Sequence, residues 1–124
     1  MQASRTAQGY KAALVVAKRN LKKAADAGLL VVMGTDSGAS PERFQGYFEH
    51  LELAMMADAG LTPSQILRAS TIDAARAMKL ETAIGVLTPG AWADLAAYDR
   101  SPLQDIGNTK SLSGVWIAGN NITR

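Results

Sequence analysis

Leu29-Leu30-Val31-Val32-Met33-Gly34-Thr35-Asp36-Ser37-Gly38 joins five consecutive apolar residues to a short polar loop flanked by glycines. The apolar run is β-branched in its middle and closed by Gly34, the pattern of a strand buried on both faces. Burial on both faces points to a parallel sheet covered by helices, and so to an α/β fold.

On the N-terminal side, Tyr10, Leu14, Ala17, Leu21 and Ala24 recur at spacings of three and four, with Gly28 as a stop. That spacing predicts an amphipathic helix ending near Ala27. Its basic residues Lys11, Lys18, Arg19, Lys22 and Lys23 are expected on a solvated outer face.

On the C-terminal side, Thr35 to Arg43 makes a loop, and Phe44, Phe48, Leu51, Met55 and Ala59 then mark a second helix ended by Gly60. Leu53 and Met56 widen its apolar stripe, which implies that another element packs over it. Thr62-Pro63 supplies a cap and a first-turn proline for a third helix carrying Ile66, Leu67 and Ala69. Thr71 offers a fresh cap, so the run to Lys79 is either one bent helix or two short ones. Beyond Leu80, glycines and prolines punctuate short apolar runs that read as strands, chiefly Asp94 to Tyr98 and Leu112 to Ala118. Gly119-Asn120 stands where a hairpin turn belongs, with Asn121 to Thr123 as the return strand.

At 124 residues and 48% hydrophobic content the chain suffices for one domain with a core, or for part of a larger unit. A net charge of +2 is too slight to argue for nucleic acid or an anionic membrane as a partner. The absence of cysteine excludes disulfides, thiolate metal sites and a cysteine nucleophile. No apolar run approaches the ~20 residues that span a bilayer, and Met1 to Gly9 is polar, so a soluble, cytoplasmic protein is the expectation. If the chain was cut from a longer precursor, a targeting signal could have gone with the lost part.

The feature with most chemical promise is Asp36, just past the carboxyl end of the buried strand, where active sites of parallel α/β proteins collect. A carboxylate there can ligate a cation or accept a proton from a metal-bound water. The blander alternative is that Asp36 caps a turn within its own loop. His50, the chain's single histidine, reads either as a group at the pocket edge or as a helix residue hydrogen-bonded locally. Glu49 and Glu52 read as helix-surface or loop-anchoring carboxylates, and Trp92 and Trp116 as packing aromatics.

Gly34-Thr35-Asp36-Ser37-Gly38, Glu52, Ala59-Gly60-Leu61-Thr62-Pro63, Ala69-Ser70-Thr71-Ile72-Asp73-Ala74-Ala75, Ile84-Gly85, Pro89-Gly90, Ala93-Asp94-Leu95 and Pro102-Leu103 occur in this order. The combination, spread from about Leu29 to Gly119, resembles the amidohydrolase superfamily, and most of all its imidazolonepropionase and prolidase-like branch.

The resemblance implies the C-terminal portion of a metal-dependent hydrolase. Residues 1–80 would be the last strand and helices of a TIM barrel, and residues 81–124 strands of a composite β-sandwich, where Asp94 would be structural. Asp36 would bind zinc or another divalent metal and pass a proton from the attacking hydroxide to the leaving group of a small amide-type substrate. Ser37, Ser40, Arg43 and His50 would contact that substrate. The family's remaining ligands are histidines on earlier strands, so this chain would bind no metal unaided and would lack turnover alone.

Two other readings share these residues. A truncated, non-catalytic paralogue would act by association, its uncovered barrel edges buried in a homo-oligomer or against the missing N-terminal part. A dimeric aspartic protease would use Asp36-Ser37-Gly38 as its triplet, though such enzymes are almost wholly β and this triplet lies among helical periodicities.

Overall fold

A computed structural model describes residues 5–123; residues 1–4 of the polar N-terminal stretch and residue 124 lie outside it. The order of elements is α1 (Arg5–Asp26), α2 (Tyr47–Asp58), α3 (Pro63–Ala69), α4 (Ile72–Ala77), β1 (Leu95–Tyr98), a 3-10 helix (Ile106–Ser111), β2 (Leu112–Ile117) and β3 (Asn120–Asn121). This is an α/β arrangement, with helices first and an antiparallel β1-β2-β3 sheet after them.

The helix ends follow the sequence signals closely. Gly28 stands at φ 72° after α1, and the Leu29 N–H reaches back to the Ala24 carbonyl at 3.1 Å. Gly60, at φ 97°, closes α2 the same way through Leu61 N–H and Met56 O. Both are left-handed caps that satisfy otherwise orphaned carbonyls. Thr62 accepts the Gln65 N–H at 3.3 Å while Gln65 Oε1 accepts the Thr62 N–H at 2.9 Å, so α3 begins with a complete capping box. The run from Pro63 resolves into two helices. Thr71 precedes the second, but its hydroxyl donates to the Leu67 carbonyl at 2.7 Å instead of capping α4.

Leu53, Met56, Leu61, Ile66, Ala69 and Ile106 form the buried core, with Leu21, Val31 and Met33 packed against it. The core therefore joins α2, α3 and the 3-10 helix, and takes only the C-terminal third of α1. Tyr10 is 73% exposed, while Lys18 and Lys22 are half-buried. Those two lysines depart from the solvated face expected of them: Lys18 pairs with Asp58 of α2 at 3.2 Å, and the stem of Lys22 lies against Gly60. Long alkyl stems cover apolar surface while the ammonium stays wet, which makes such a face partly buried.

The segment Leu29 to Gly34 forms no regular strand, so the parallel sheet expected around it is not seen among the described residues, and it is not buried on both faces. Val31 and Met33 point to the core, and the Met33 N–H donates to Ala69 O at 3.0 Å. Leu29, Leu30 and Val32 are exposed, Leu29 by 64%. Among the described residues no strand pairs with this segment, so one face of an apolar run stands open.

The second helix shows a matching departure. It starts at Tyr47, leaving Phe44 in the loop and 66% exposed. Its buried residues are Leu53 and Met56, whereas Leu51 and Met55 face a groove. The wide stripe thus has one face covered by this chain and one face not.

In the sheet, the turn falls one residue earlier than Gly119-Asn120. Ile117 pairs with Asn120, and Ala118 and Gly119 occupy the turn at φ 49° and 80°. Two successive left-handed residues match the right-handed twist of a two-residue hairpin.

Candidate functional site

The loop after the Leu29 to Gly34 segment is held by a dense set of hydrogen bonds. Asp36 itself adopts φ 57°, a left-handed conformation that aspartate tolerates better than most residues. Its carbonyl accepts the Ala39 N–H at 3.2 Å, and the Gly38 N–H donates to the Arg43 carbonyl at 2.9 Å. Gly38 is at φ 79°, a left-handed conformation that favours glycine, and a β-carbon there would displace only the tip of the Gln45 side chain.

The Asp36 carboxylate is 75% exposed and lies 3.1 Å from Arg43 Nη1. The same guanidinium nitrogen donates to the Thr35 carbonyl at 3.4 Å. An exposed pair of this kind is weak, and a competing cation or anion can open it.

Glu49, in the first turn of α2, gathers the other side of the loop. Its Oε1 accepts the hydroxyls of Ser37 and, at 3.4 Å, Thr35, while its Oε2 accepts the Gly46 N–H at 2.5 Å. The Ser37 hydroxyl is the main reason that the Glu49 carboxyl sits below its ordinary pKa; its own backbone N–H also lowers it, against a small opposing effect of burial. Glu42 is lowered as well, first by its own backbone and then by the Ser40 hydroxyl.

Beside this loop is a groove of about 510 Å³. Thr35, Ser40, Arg43 and Glu52 give it polar edges, and Phe48 and Met55 an apolar wall. It combines an apolar surface with few convergent polar groups, the make-up of a small-molecule site.

The structure divides the residues singled out from sequence. Ser40 and Arg43 line the groove. Asp36 stands at its rim through Arg43, and is not part of its wall. Ser37 turns its hydroxyl to Glu49. His50 is tied by Nδ1 to Thr109 Oγ1 at 3.0 Å, a bond to the 3-10 helix 59 residues on and away from the groove. Neither Ser37 nor His50 is placed to touch a ligand in the groove.

Glu49 is the residue whose importance sequence reading understated. Its signal was its position three residues after Gly46, the spacing of a helix-start carboxylate. In the sequence, the apolar wall from Phe48 and Met55 shows only as part of a helix stripe.

Among the described residues no three His, Cys, Asp or Glu side chains come together as a metal cluster. Asp36 can lend one ligand where a hydrolytic site takes about three from protein. The described residues do not by themselves fit a metal ion. Among them, too, no helix is long and apolar enough to cross a membrane.

Residues 6–122 match the model of the amidohydrolase family. Imidazolonepropionase of Deinococcus deserti is 38% identical over 103 residues, which are 78% of this chain and 25% of that protein. The solved structure of molinate hydrolase superposes with a TM-score of 0.77 at 26% identity, covering 84% of this chain and 26% of that one. A prolidase candidate from Bifidobacterium longum gives a TM-score of 0.75 at 30% identity, over 84% of this chain and 25% of its own. The chain spans about a quarter of the length of the curated relatives it matches.

Proposed function

The chain belongs to the amidohydrolase family, and on that premise we propose that it is one part of a metal-dependent hydrolase of carbon-nitrogen bonds in a small amide-type substrate. In this reading residues 1–80 are the last strand and helices of a TIM barrel, and residues 81–124 are strands of a composite β-sandwich. The kinship with imidazolonepropionase and with prolidase-like structures supports the bond class.

The observation that carries the reading is the unpaired segment ending in Asp36. Among the described residues Leu29, Leu30 and Val32 are exposed with no strand beside them, and Leu51 and Met55 of α2 line the groove next to the same loop. An apolar strand with two free edges is stable only when neighbours pair with it. The remainder of a barrel supplies such neighbours, and a second copy of this chain is the alternative cover. Either would also have to bring the ligands that this chain lacks for zinc or another divalent metal.

Within such a site the part for this chain is proton transfer. Asp36 takes the proton of the attacking water and delivers it to the departing nitrogen, which a carboxylate at the rim of a groove can do in either direction. Ser40 and Arg43 hold the substrate from the groove edge. Arg43 meets Asp36 and the Thr35 carbonyl through Nη1, which leaves its other N–H donors for a substrate.

A second reading, association without turnover, has the same open strand in its favour. Metal content of the assembled enzyme and oligomeric state of the purified chain separate the two. Stoichiometric zinc that survives dialysis and is lost in Asp36→Asn supports a hydrolytic site; a metal-free dimer supports association. In the assembled enzyme Asp36→Asn is expected to abolish hydrolysis with circular dichroism unchanged, and retained turnover removes Asp36 from the mechanism.

A further inference from the structure

We propose that Glu49 is the positioning residue for Asp36: one carboxylate on α2 takes the hydroxyls on both sides of that aspartate and thereby sets where its side chain stands. The inference rests on the reading of Asp36 as the proton-transferring acid.

Thr35 and Ser37 flank Asp36 directly, and both present their hydroxyls to Glu49 Oε1. They are also tied to each other, since the Ser37 N–H donates to Thr35 Oγ1 at 3.1 Å. Asp36 therefore sits at the apex of a closed ring of bonds whose base is Glu49. Its backbone is in the left-handed region, which aspartate tolerates and which the ring of bonds here fixes.

The second oxygen of Glu49 accepts the Gly46 N–H, so both ends of the loop converge on one side chain. A carboxylate has enough lone pairs for all three donors at once, and an amide does not. Charge makes these bonds about twice as strong as neutral ones. Arg43 pairs with the Asp36 carboxylate at 3.1 Å, which leaves that group held between a cation and a fixed backbone.

The competing explanation is that Glu49 only caps α2 through Gly46. Two substitutions distinguish them. Glu49→Gln keeps the shape of the side chain but not its set of acceptors. Ser37→Ala removes a flanking hydroxyl and leaves the Gly46 bond in place.

Amide hydrogen exchange on the chain itself is the test. With Glu49→Gln the amides of residues 37–40 and 42–46 are expected to exchange about tenfold faster, while Met56 and Ile66 in the core stay unchanged. Ser37→Ala is expected to reproduce the acceleration at the same amides up to residue 43 and spare Gly46. If Glu49→Gln affects Gly46 alone, or Ser37→Ala leaves the loop as it was, Glu49 is a helix cap and the proposal is overturned.

These measurements need no turnover, so their failure leaves the role of Asp36 standing. In the assembled enzyme both substitutions are expected to lower kcat by about tenfold with KM held, as misplacement of an acid-base group would. Unchanged kcat despite a loosened loop would also overturn the positioning role.

Discussion

The carboxylate of Asp94 accepts the backbone N–H of Ala118 at 2.7 Å, across 24 residues, and so ties the start of β1 to the turn between β2 and β3. The Gly119 N–H adds a second tie, to the Ala93 carbonyl at 3.0 Å. Ala118 has φ 49°, a conformation that its β-carbon disfavours by roughly 1–2 kcal/mol. The bond from Asp94 therefore holds a turn that is strained at one of its two central positions.

Replacing Ala118 by Asn, the residue best suited to the first position of such a turn, is expected to stabilise the chain by roughly 0.5–1 kcal/mol. Asp94→Ala is expected to destabilise it by about 1 kcal/mol. Urea unfolding of the two variants checks both signs; a destabilised Ala118→Asn would contradict the turn geometry.

Ile66 has no exposed surface and lies among Met56, Leu61 and Ala69. Ile66→Ala deletes most of a side chain at the point where α2 meets α3. A loss of about 2–5 kcal/mol is expected from removed burial plus the cavity left behind. Because the core is small, thermal melting of this variant should show a broad or absent transition, and a melt close to wild type would place the core elsewhere.

Gly85 is at φ 78°, and a β-carbon there would stand 2.9 Å from the backbone carbon and oxygen of Thr71. The segment leading to β1 is thus pressed onto the junction of α3 and α4. Gly85→Ala meets both backbone strain and an unyielding neighbour, and a cost of roughly 1–3 kcal/mol is expected. Chemical denaturation reads it directly; a neutral result would mean that this contact is not made in solution.

Thr109 Oγ1 donates its only proton to the Ile106 carbonyl at 2.9 Å. The bond at 3.0 Å to His50 Nδ1 then requires the hydrogen to be on the histidine. Nitrogen-15 spectra of the neutral imidazole are expected to show a protonated Nδ1 and a bare Nε2. The opposite tautomer would break the assignment of this bridge between α2 and the 3-10 helix.

Glu49 carries a pKa below its ordinary 4.5 in the folded chain, chiefly through the Ser37 hydroxyl. A depressed carboxyl stabilises the fold above the unfolded value, and that contribution disappears as pH falls through the lower folded value. Loop protection at residues 37–40 and 42–46 is therefore expected to be flat from neutral pH down to 4.5 and to fall below it. Protection that declines already between neutrality and 4.5 would point to another group.

The amino-acid sequence alone determined the local chemistry of this protein. Gly28 and Gly60 end helices because only glycine enters the left-handed region freely, and Thr62 with Gln65 opens one because their side chains reach each other's backbone. The ordered motifs from Gly34 onward marked the family. Such effects act over a few residues, so a sequence displays them.

Which face of each element is covered was decided only by tertiary structure, because burial depends on what stands opposite and periodicity does not name the partner. Val31 and Met33 turned inward and Leu29, Leu30 and Val32 did not, since the core this chain can build lies on one side of them. The tethers from Glu49 to Thr35 and Ser37, and from His50 to Thr109, join residues 12 to 59 positions apart. No local pattern encodes such distances, and the chain had to fold before its loop around Asp36 could have a shape.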